Sequence, residues 1–259
     1  MNPIIYLKNI SVVRDEKPIL DNISLSIHNG ENIAIIGSNG AGKSTLVGVM
    51  SELIHPIVKE ETQRLLFGQQ NWNIVELQKK MGIVSQSLQY LCNTSYSVEE
   101  IVLSGFFSSI GLDFHHIVTD EMKRRAHEVL KEYRMEYLKD NKMNTLSSGE
   151  ARKALLMRAS VHDPKVMLLD EVTTNLDLPS KKEYVSRLTM YANGGKTIIL
   201  VTHDISQIIE EVRRVVVLKD GKIFADGSKE EVLTESVLSE AYSTKVFVSK
   251  REGRFNAWC

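Results

Sequence analysis

Alternating apolar and polar residues near the start of the chain give way to continuous apolar runs further along. The segment Ile23–His28 alternates strictly, which is typical of a half-buried antiparallel strand. Three later segments run apolar on both faces, namely Asn32–Ile36, Val166–Leu169 and Thr197–Val201. Such runs are typical of central strands in a parallel sheet. The pattern therefore predicts a mainly parallel sheet core with N-terminal antiparallel strands.

Two other segments carry helical patterns. Between Thr119 and about Lys139, apolar residues recur three or four positions apart and predict one buried stripe on a helix. The stripe consists of Met122, Ala126, Val129, Tyr133 and Tyr137. A second helix is predicted from about Gly149 to His162, where Asp163-Pro164 ends it.

Strands that alternate with helices predict an α/β fold. Residues from about 87 to 146 show little strand signal, so we expect a helical subdomain inserted in the α/β core. A length of 259 residues suits one large domain that carries a subdomain. We therefore predict a single domain over residues 1–259.

Composition and charge exclude several classes of protein. The chain is 42% hydrophobic and 25% charged, as in ordinary globular proteins. Its net charge of −1 argues against a protein built to coat nucleic acid. Cys92 and Cys259 are too few for a disulfide scaffold and predict free thiols in a reducing compartment. No signal peptide is visible, and no apolar run approaches the roughly 20 residues that a membrane span needs.

A glycine-rich loop supplies the first candidate chemistry. Gly37–Ser44 matches the pattern G-x-x-x-x-G-K-[ST] between a buried strand and a plausible helix. Its backbone N–H groups would cradle the phosphates of a nucleoside triphosphate, with Lys43 at the β- and γ-phosphates and the Ser44 hydroxyl on Mg²⁺. We predict that ATP and Mg²⁺ bind here. The cofactor-binding residues are Gly37, Ser38, Asn39, Gly40, Ala41, Gly42, Lys43, Ser44 and Thr45.

Two acidic residues follow the apolar run Val166–Leu169. Ligands of open α/β sheets bind where such strands end, so Asp170 would meet the Mg²⁺ and Glu171 would polarise the attacking water as general base. Taken alone, two acids after a strand more often belong to a solvated loop. Together with the phosphate loop they predict a hydrolytic site.

Several further motifs follow in a fixed order along the chain. Gln86 comes after a short apolar run, Leu146–Glu150 has the sequence LSSGE, Thr174–Asp177 follows the paired acids, and Val201–Asp204 contains a histidine, His203. In this order they resemble the Q-loop, LSGGQ signature, D-loop and switch histidine of the ATP-binding cassette (ABC) proteins. The resemblance covers nearly the whole chain, and the signature is specific to this family.

The resemblance implies a P-loop NTPase of the ABC ATPase fold, with catalytic residues Lys43, Gln86, Glu171 and His203 and metal-site residues Ser44, Gln86 and Asp170. It also implies that Ser147, Ser148 and Gly149 grip the γ-phosphate of ATP bound to a second copy of the chain, giving a homodimer around two ATP. By its sequence alone, Ser147 with Glu150 three residues later predicts a capping box at the start of a helix, which is also what an ordinary capped helix would show.

Two departures from the family pattern concern the ligand. Proteins of the family have an aromatic residue that stacks on adenine at about the position of Arg14, and this chain has no aromatic residue there. A guanidinium can also stack on a base, so we expect Arg14 to take this role. The signature has Ser148 in place of glycine and Glu150 in place of glutamine. The serine adds a side chain, and the glutamate a charge, where the partner's ATP would approach.

The stretch Ser97–Gly105 and the C-terminal region from Lys219 to Thr234 resemble the importer ATPases of the iron-chelate, cobalamin and molybdate type, although they also suit a conventional ABC C-terminal region. By this resemblance we expect a transport ATPase, cytoplasmic and peripheral on the inner face of the cell membrane, whose partners are transmembrane permease subunits. Direct nucleic-acid binding is not expected. The alternatives are a soluble ABC ATPase that acts on the ribosome or nucleic acid, and a nucleotide-gated binding module with little turnover.

Overall fold

A computed structural model describes residues 2–172 and 176–259. The strands are β1 (Ile5–Arg14), β2 (Lys17–Ile27), β3 (Ile33–Gly37), β4 (Gln63–Leu66), β5 (Met81–Ser85), β6 (Val166–Asp170), β7 (Thr197–Val201), β8 (Arg214–Lys219), β9 (Lys222–Ser228), β10 (Phe247–Arg251) and β11 (Arg254–Trp258). The helices are α1 (Lys43–Met50), α2 (Ile74–Lys80), α3 (Gln86–Leu91), α4 (Val98–Ser104), α5 (Asp120–Glu132), α6 (Ser148–Ser160), α7 (Leu178–Asn193), α8 (Lys229–Val232) and α9 (Glu235–Tyr242). Short 3₁₀ helices cover Glu136–Leu138, Met143–Thr145 and Ile205–Gln207.

The chain divides into two compact units. The first is formed by Met1–Trp72 together with Val185–Cys259, and the second is the continuous stretch Asn73–Tyr184. The predicted helical range 87–146 falls inside the second unit. That unit also contains the strands β5 and β6, so it is wider than the predicted range.

In the first unit, β3 pairs in parallel with both β7 and β8, and β9 continues antiparallel to β8. Every residue of β3 and of β7 is buried, which explains why both read as apolar runs. A separate antiparallel sheet has the order β2-β1-β4. The predicted alternating strand belongs to β2, whose Leu25 and Ile27 face the core while Ser26 lies opposite Tyr6.

In the second unit, β5 and β6 run parallel with Ser85 opposite Asp170 at their carboxyl ends. Helix α6 packs against β5, α4 and α5. Taken together, the parallel strand pairs and the intervening helices confirm the predicted α/β fold with a mostly parallel core and N-terminal antiparallel strands.

The predicted end of the α5 helix at Lys139 is wrong. The helix ends at Glu132, because Arg134 adopts a left-handed backbone with φ of 54°, which an α-helix does not accommodate. Of the predicted stripe, Ala126, Val129 and Tyr133 are buried, whereas Tyr137 lies beyond the helix and is 72% exposed. The second predicted helix is confirmed as α6, within one or two residues at each end.

No helix within the described residues has both the length and the apolar character needed to cross a membrane. Both cysteines are free thiols, Cys92 buried and Cys259 exposed, as the sequence predicted.

Candidate functional site

The phosphate loop of the first unit connects β3 to α1, and its backbone depends on glycine. Gly37, Gly40 and Gly42 have φ values of 154°, 83° and 98°, which residues with a Cβ rarely adopt. A Cβ on Gly37 would lie 2.4 Å from the carbonyl oxygen of Leu218, and one on Gly42 would lie 2.7 Å from Cδ2 of Leu20. These glycines therefore allow a backbone path that other residues would block, and a glycine-rich loop of this kind before a helix suits close approach by phosphate oxygens.

Helix α1 begins directly at Lys43. Its N-cap residue Gly42 offers no side-chain hydrogen bond to the first turn, so the N-terminal N–H groups and the positive end of the helix dipole face the loop. The Lys43 side chain is buried, and its Nζ donates to the carbonyl oxygens of Gly37 at 2.9 Å and Ser38 at 3.0 Å. Ser44 is exposed at the helix start, so the ammonium of Lys43 and the hydroxyl of Ser44 both adjoin the phosphate loop.

Arg14 lies at the end of the β1–β2 hairpin, opposite Lys17, with its side chain 83% exposed. Its Nε lies 3.8 Å from a carboxylate oxygen of Asp15. The same hairpin touches the phosphate loop, because Gly42 packs against Leu20 of β2. Leu20 pairs with Val12, two residues before Arg14.

His203 follows strand β7 on a short, well-bonded turn. The buried Thr202 hydroxyl donates to Gln207 at 2.9 Å and accepts from the amide of Asp204 at 3.0 Å. The Asp204 carboxylate then caps the 3₁₀ helix by accepting from the amide of Ser206. These bonds fix the backbone on both sides of His203.

A cavity of about 330 Å³ lies beside His203, within the first unit. Its other walls come from residues that the sequence analysis did not single out: Ile205, Tyr242, Val246, Ala257, Trp258 and Cys259. Burial raises the pKa of Tyr242 to about 12, and the nearby Gly37 backbone partly offsets this shift. Tyr242 thus sits between the start of the phosphate loop and the His203 turn. No local pattern marks these residues, since they come from separate segments: Ile205 from the 3₁₀ helix, Tyr242 from α9, and Ala257 and Trp258 from β11.

The carboxyl ends of β5 and β6 bring three predicted site residues together in the second unit. Because Ser85 and Asp170 are partners in the parallel register, Gln86 and Glu171 directly follow the ends of neighbouring strands. Asp170 is almost fully buried, whereas Gln86 is exposed at the first position of α3.

Glu171 turns sharply away from the strand, with a left-handed φ of 50°. Its backbone carbonyl accepts from Nη1 of the buried Arg152 at 3.5 Å. Burial lowers the pKa of the Arg152 guanidinium below its ordinary value. A non-glycine residue keeps this backbone only where its surroundings hold it, and the hydrogen bond from Arg152 is one such contact.

The capping box predicted from Ser147 and Glu150 is confirmed. The Ser147 hydroxyl caps α6, accepting from the Glu150 amide at 3.3 Å, and a carboxylate oxygen of Glu150 accepts from the Ser147 amide at 2.9 Å and hydroxyl at 2.7 Å. The Glu150 charge is therefore turned back onto the helix start, where it is favourable. It does not project outward as an isolated charge.

Ser148 and Gly149 occupy the first turn of α6. Ser148 is exposed and lines a pocket of about 440 Å³ in the second unit, together with Gln86, Asn144 and Arg152. A Cβ on Gly149 would lie 2.8 Å from Oγ of Ser180. The missing side chain of Gly149 therefore allows α6 to pack closely against α7. Of the predicted D-loop, Thr174 and Asn175 lie outside the described residues, while Asp177 accepts from the Ser180 amide at 3.0 Å.

In a comparison with protein families, residues 20–174 match the model described as ABC transporter. Among curated proteins, the uncharacterized ABC transporter ATP-binding protein YlmA of Bacillus subtilis is 32% identical, over 97% of this chain and 95% of its own length. YmeB of Lactococcus lactis, of the same description, is 29% identical over 97% of both chains.

Solved structures agree with this result. CbiO1 from Clostridium perfringens, part of the ABC transporter complex cbiONQ, matches with a TM-score of 0.73 at 29% identity, over 93% of this chain and 94% of its own. The ATP-binding cassette MJ0796, solved as a dimer in a post-hydrolysis state with ADP and Pi, matches with a TM-score of 0.71 at 28% identity, over 86% and 98%.

Proposed function

Because this chain belongs to the ABC transporter family, we propose that it powers import through separate membrane permease subunits, working as a dimer around two ATP. The chain is an ABC transporter ATP-binding subunit that hydrolyses ATP. The observation that carries the proposed ATP site is the phosphate loop, with its glycine backbone and its buried Lys43. Import rests on the resemblance of Ser97–Gly105 and the region from Lys219 to Thr234 to importer ATPases.

Residues Gly37–Thr45 hold the ATP phosphates in this proposal. Support comes from the loop path at Gly37 and Gly42, which only residues without a Cβ can follow, and from the uncapped N-terminus of α1. The Lys43 ammonium would exchange its carbonyl partners for phosphate oxygens. Arg14, on the hairpin that contacts Gly42, would cover the adenine face.

A magnesium ion bound with ATP would neutralise charge that develops on the phosphates. The hydroxyl of Ser44, the amide oxygen of Gln86 and the buried carboxylate of Asp170 are oxygen donors of the kind that Mg²⁺ prefers. Glu171 would accept the proton of the attacking water at its carboxylate. His203, held by the bonded turn around Thr202, would donate a hydrogen bond to the γ-phosphate.

A second copy of the chain would complete each site through Ser147, Ser148 and Gly149. Ser148 is exposed at the start of a 13-residue helix, where backbone N–H groups favour an anion. The dimeric state of the MJ0796 cassette supports a homodimer here.

The permease would dock on the second unit. Tyr90, Leu91, Phe114 and Ile117 all expose large apolar side chains on this unit, within the predicted helical range. A contiguous apolar patch on a protein surface marks an interaction site, and we propose that these four side chains belong to one. We therefore place the chain in the cytoplasm, at the inner face of the membrane, with its apolar surface covered by the permease.

The double variant Tyr90→Ser/Phe114→Ser is expected to lose its permease. When the tagged chain is purified from cross-linked membranes of its native cells, recovery of a polytopic membrane protein should fall about tenfold or more. The matched control is Leu53→Ser, which alters a side chain 67% exposed on the first unit and should leave recovery unchanged. Co-sedimentation with ribosomes in place of a membrane protein would favour the alternative, a soluble ABC ATPase.

Import is tested with the Glu171→Gln variant in living cells. Cells that depend on this variant should take up one of three labelled probes, a ferric chelate, cobalamin or molybdate, at least about tenfold more slowly than wild-type cells. Cells carrying Glu150→Gln serve as the control. Uptake of all three probes at wild-type rates would contradict an importer of this group.

A further inference from the structure

A tight turn in the loop between α4 and α5 brings two histidines and an aspartate together. The His116 amide donates to the carbonyl oxygen of Asp113 at 3.0 Å, which closes the turn. In return, the Asp113 amide donates to Nδ1 of the His116 ring at 2.9 Å. The side chains of residues 113, 115 and 116 therefore leave the backbone from one small region.

Their donor atoms converge. One ligand atom from each of Asp113, His115 and His116 lies within 4.8 Å of the other two, and the two imidazole rings are 4.3 Å apart between centroids. Among residues 2–172 and 176–259, no other group of three or more such side chains converges in this way. Around a single ion with bonds of about 2.0–2.2 Å, donor atoms lie about 3–3.5 Å apart. Asp113 and His115 are exposed, so rotation of their side chains can supply the difference.

The loop that carries the turn is already held in place. The Phe107 ring stacks on His116 with centroids 4.4 Å apart and planes 24° from parallel. Before the turn, the carbonyl oxygen of Ser109 accepts from Nη2 of the buried Arg158 at 2.9 Å. Gly111, at a φ of 75°, packs so closely on Tyr96 that a Cβ would lie 2.2 Å from that ring. Binding at the turn therefore requires little new ordering of the backbone.

We propose that Asp113, His115 and His116 bind a divalent first-row transition ion of the zinc class. Two imidazoles and one carboxylate are the donors that such ions prefer, whereas Mg²⁺ and Ca²⁺ prefer oxygen donors alone. The ion takes His116 through Nδ1 and so replaces the hydrogen bond from the Asp113 amide. Three protein ligands leave at least one coordination position for water or for a donor from another protein.

This site shares no residue with the nucleotide site, so it can be tested without ATP. The probe is Co²⁺, titrated into the full chain purified without a polyhistidine tag. The exposed thiol of Cys259 is removed by Cys259→Ser so that it cannot ligate. We expect one Co²⁺ per chain with visible d–d absorption, displaced by Zn²⁺. His115→Ala and Asp113→Asn should each weaken Co²⁺ binding by about 10- to 100-fold.

The matched control is His127→Ala, which removes another exposed histidine of the second unit, 3.7 Å from a carboxylate oxygen of Glu136. Co²⁺ binding should be unchanged in this variant. ATP turnover in the presence of Mg²⁺ alone shows that every variant is folded. The proposal is overturned if the parent chain binds no Co²⁺ up to about 1 mM. Equal binding by the parent and the double variant His115→Ala/Asp113→Asn also overturns it.

Discussion

Replacing Glu171 with glutamine is expected to slow ATP hydrolysis by about 10²–10⁴-fold, the range that a general base contributes. Glutamine has nearly the same shape but cannot accept a proton from water at neutral pH. The backbone at this position is left-handed, and glutamine and glutamate tolerate that conformation equally, so the substitution removes the carboxylate and leaves the turn intact.

ATP binding is expected to survive the same change. The phosphate loop and Lys43 belong to the first unit and are not altered. With binding intact and hydrolysis blocked, the ATP-bound dimer should accumulate and elute as a dimer in size-exclusion chromatography at saturating ATP and Mg²⁺. Without ATP, we expect the variant to elute at the same volume as the parent chain.

Glu150→Gln is the matched control for this experiment. It also exchanges a carboxylate for an amide, and the new carbonyl oxygen can still accept from the Ser147 amide and hydroxyl, as the carboxylate does. We expect its turnover to stay within a few-fold of the parent. A Glu171→Gln chain that remains monomeric with saturating ATP, or that hydrolyses ATP at the parent rate, would contradict the proposed mechanism.

The sequence predicts the buried part of this fold well. Strands β3, β6 and β7 are apolar on both faces because both faces are buried, so their burial is visible in the local pattern. The start of α6 is equally local, since Ser147 and Glu150 cap the helix three residues apart.

Elsewhere the local pattern is insufficient. Helix α5 ends because of the backbone at Arg134, and arginine carries no turn signal, so the apolar stripe seemed to continue to Tyr137. The hairpin β10–β11 is mostly exposed and shows no clear alternation. Its turn at Glu252-Gly253 has φ values of 50° and 75°, and Gly253 is the residue in the sequence that indicates a hairpin turn here.

The candidate site divides in the same way. Motif residues such as Gln86 and Asp170 are recognised because neighbours along the chain define them. The residues around them come from distant segments. Arg152 donates to the backbone carbonyl of Glu171, and Tyr242 and Trp258 line the cavity beside His203. Their sequence separation leaves no periodic signal, so only the folded chain reveals them.

Replacing Lys43 with alanine is expected to abolish turnover and to weaken ATP binding as well. Hydrogen bonds from a charged donor contribute about 1.5–3 kcal/mol each, so the loss of one such bond to phosphate corresponds to roughly 10- to 150-fold in affinity. Turnover should fall further, because the ammonium would also stabilise charge that develops during phosphoryl transfer. The measurements are a fluorescent-ATP titration and steady-state phosphate release.

The buried position of Lys43 makes the choice of controls important. Its Nζ donates to the carbonyl oxygens of Gly37 and Ser38, so alanine also leaves the loop without these bonds. Thermal unfolding without nucleotide measures that structural cost separately. Lys17→Ala removes an exposed lysine of the β1–β2 hairpin in the same unit and should leave affinity and turnover unchanged.

One outcome distinguishes an ATPase from a binding module with little turnover, and a second tests whether the phosphate loop is the nucleotide site. If the parent chain releases phosphate and Lys43→Ala does not, the turnover belongs to this chain and the binding module is excluded. If Lys43→Ala binds ATP within twofold of the parent, the ammonium does not contact the phosphates. Gly37–Thr45 would then not be the nucleotide site. Lys43 is part of this loop, and its Nζ donates to the loop carbonyl oxygens of Gly37 and Ser38, so phosphates bound there would meet its ammonium.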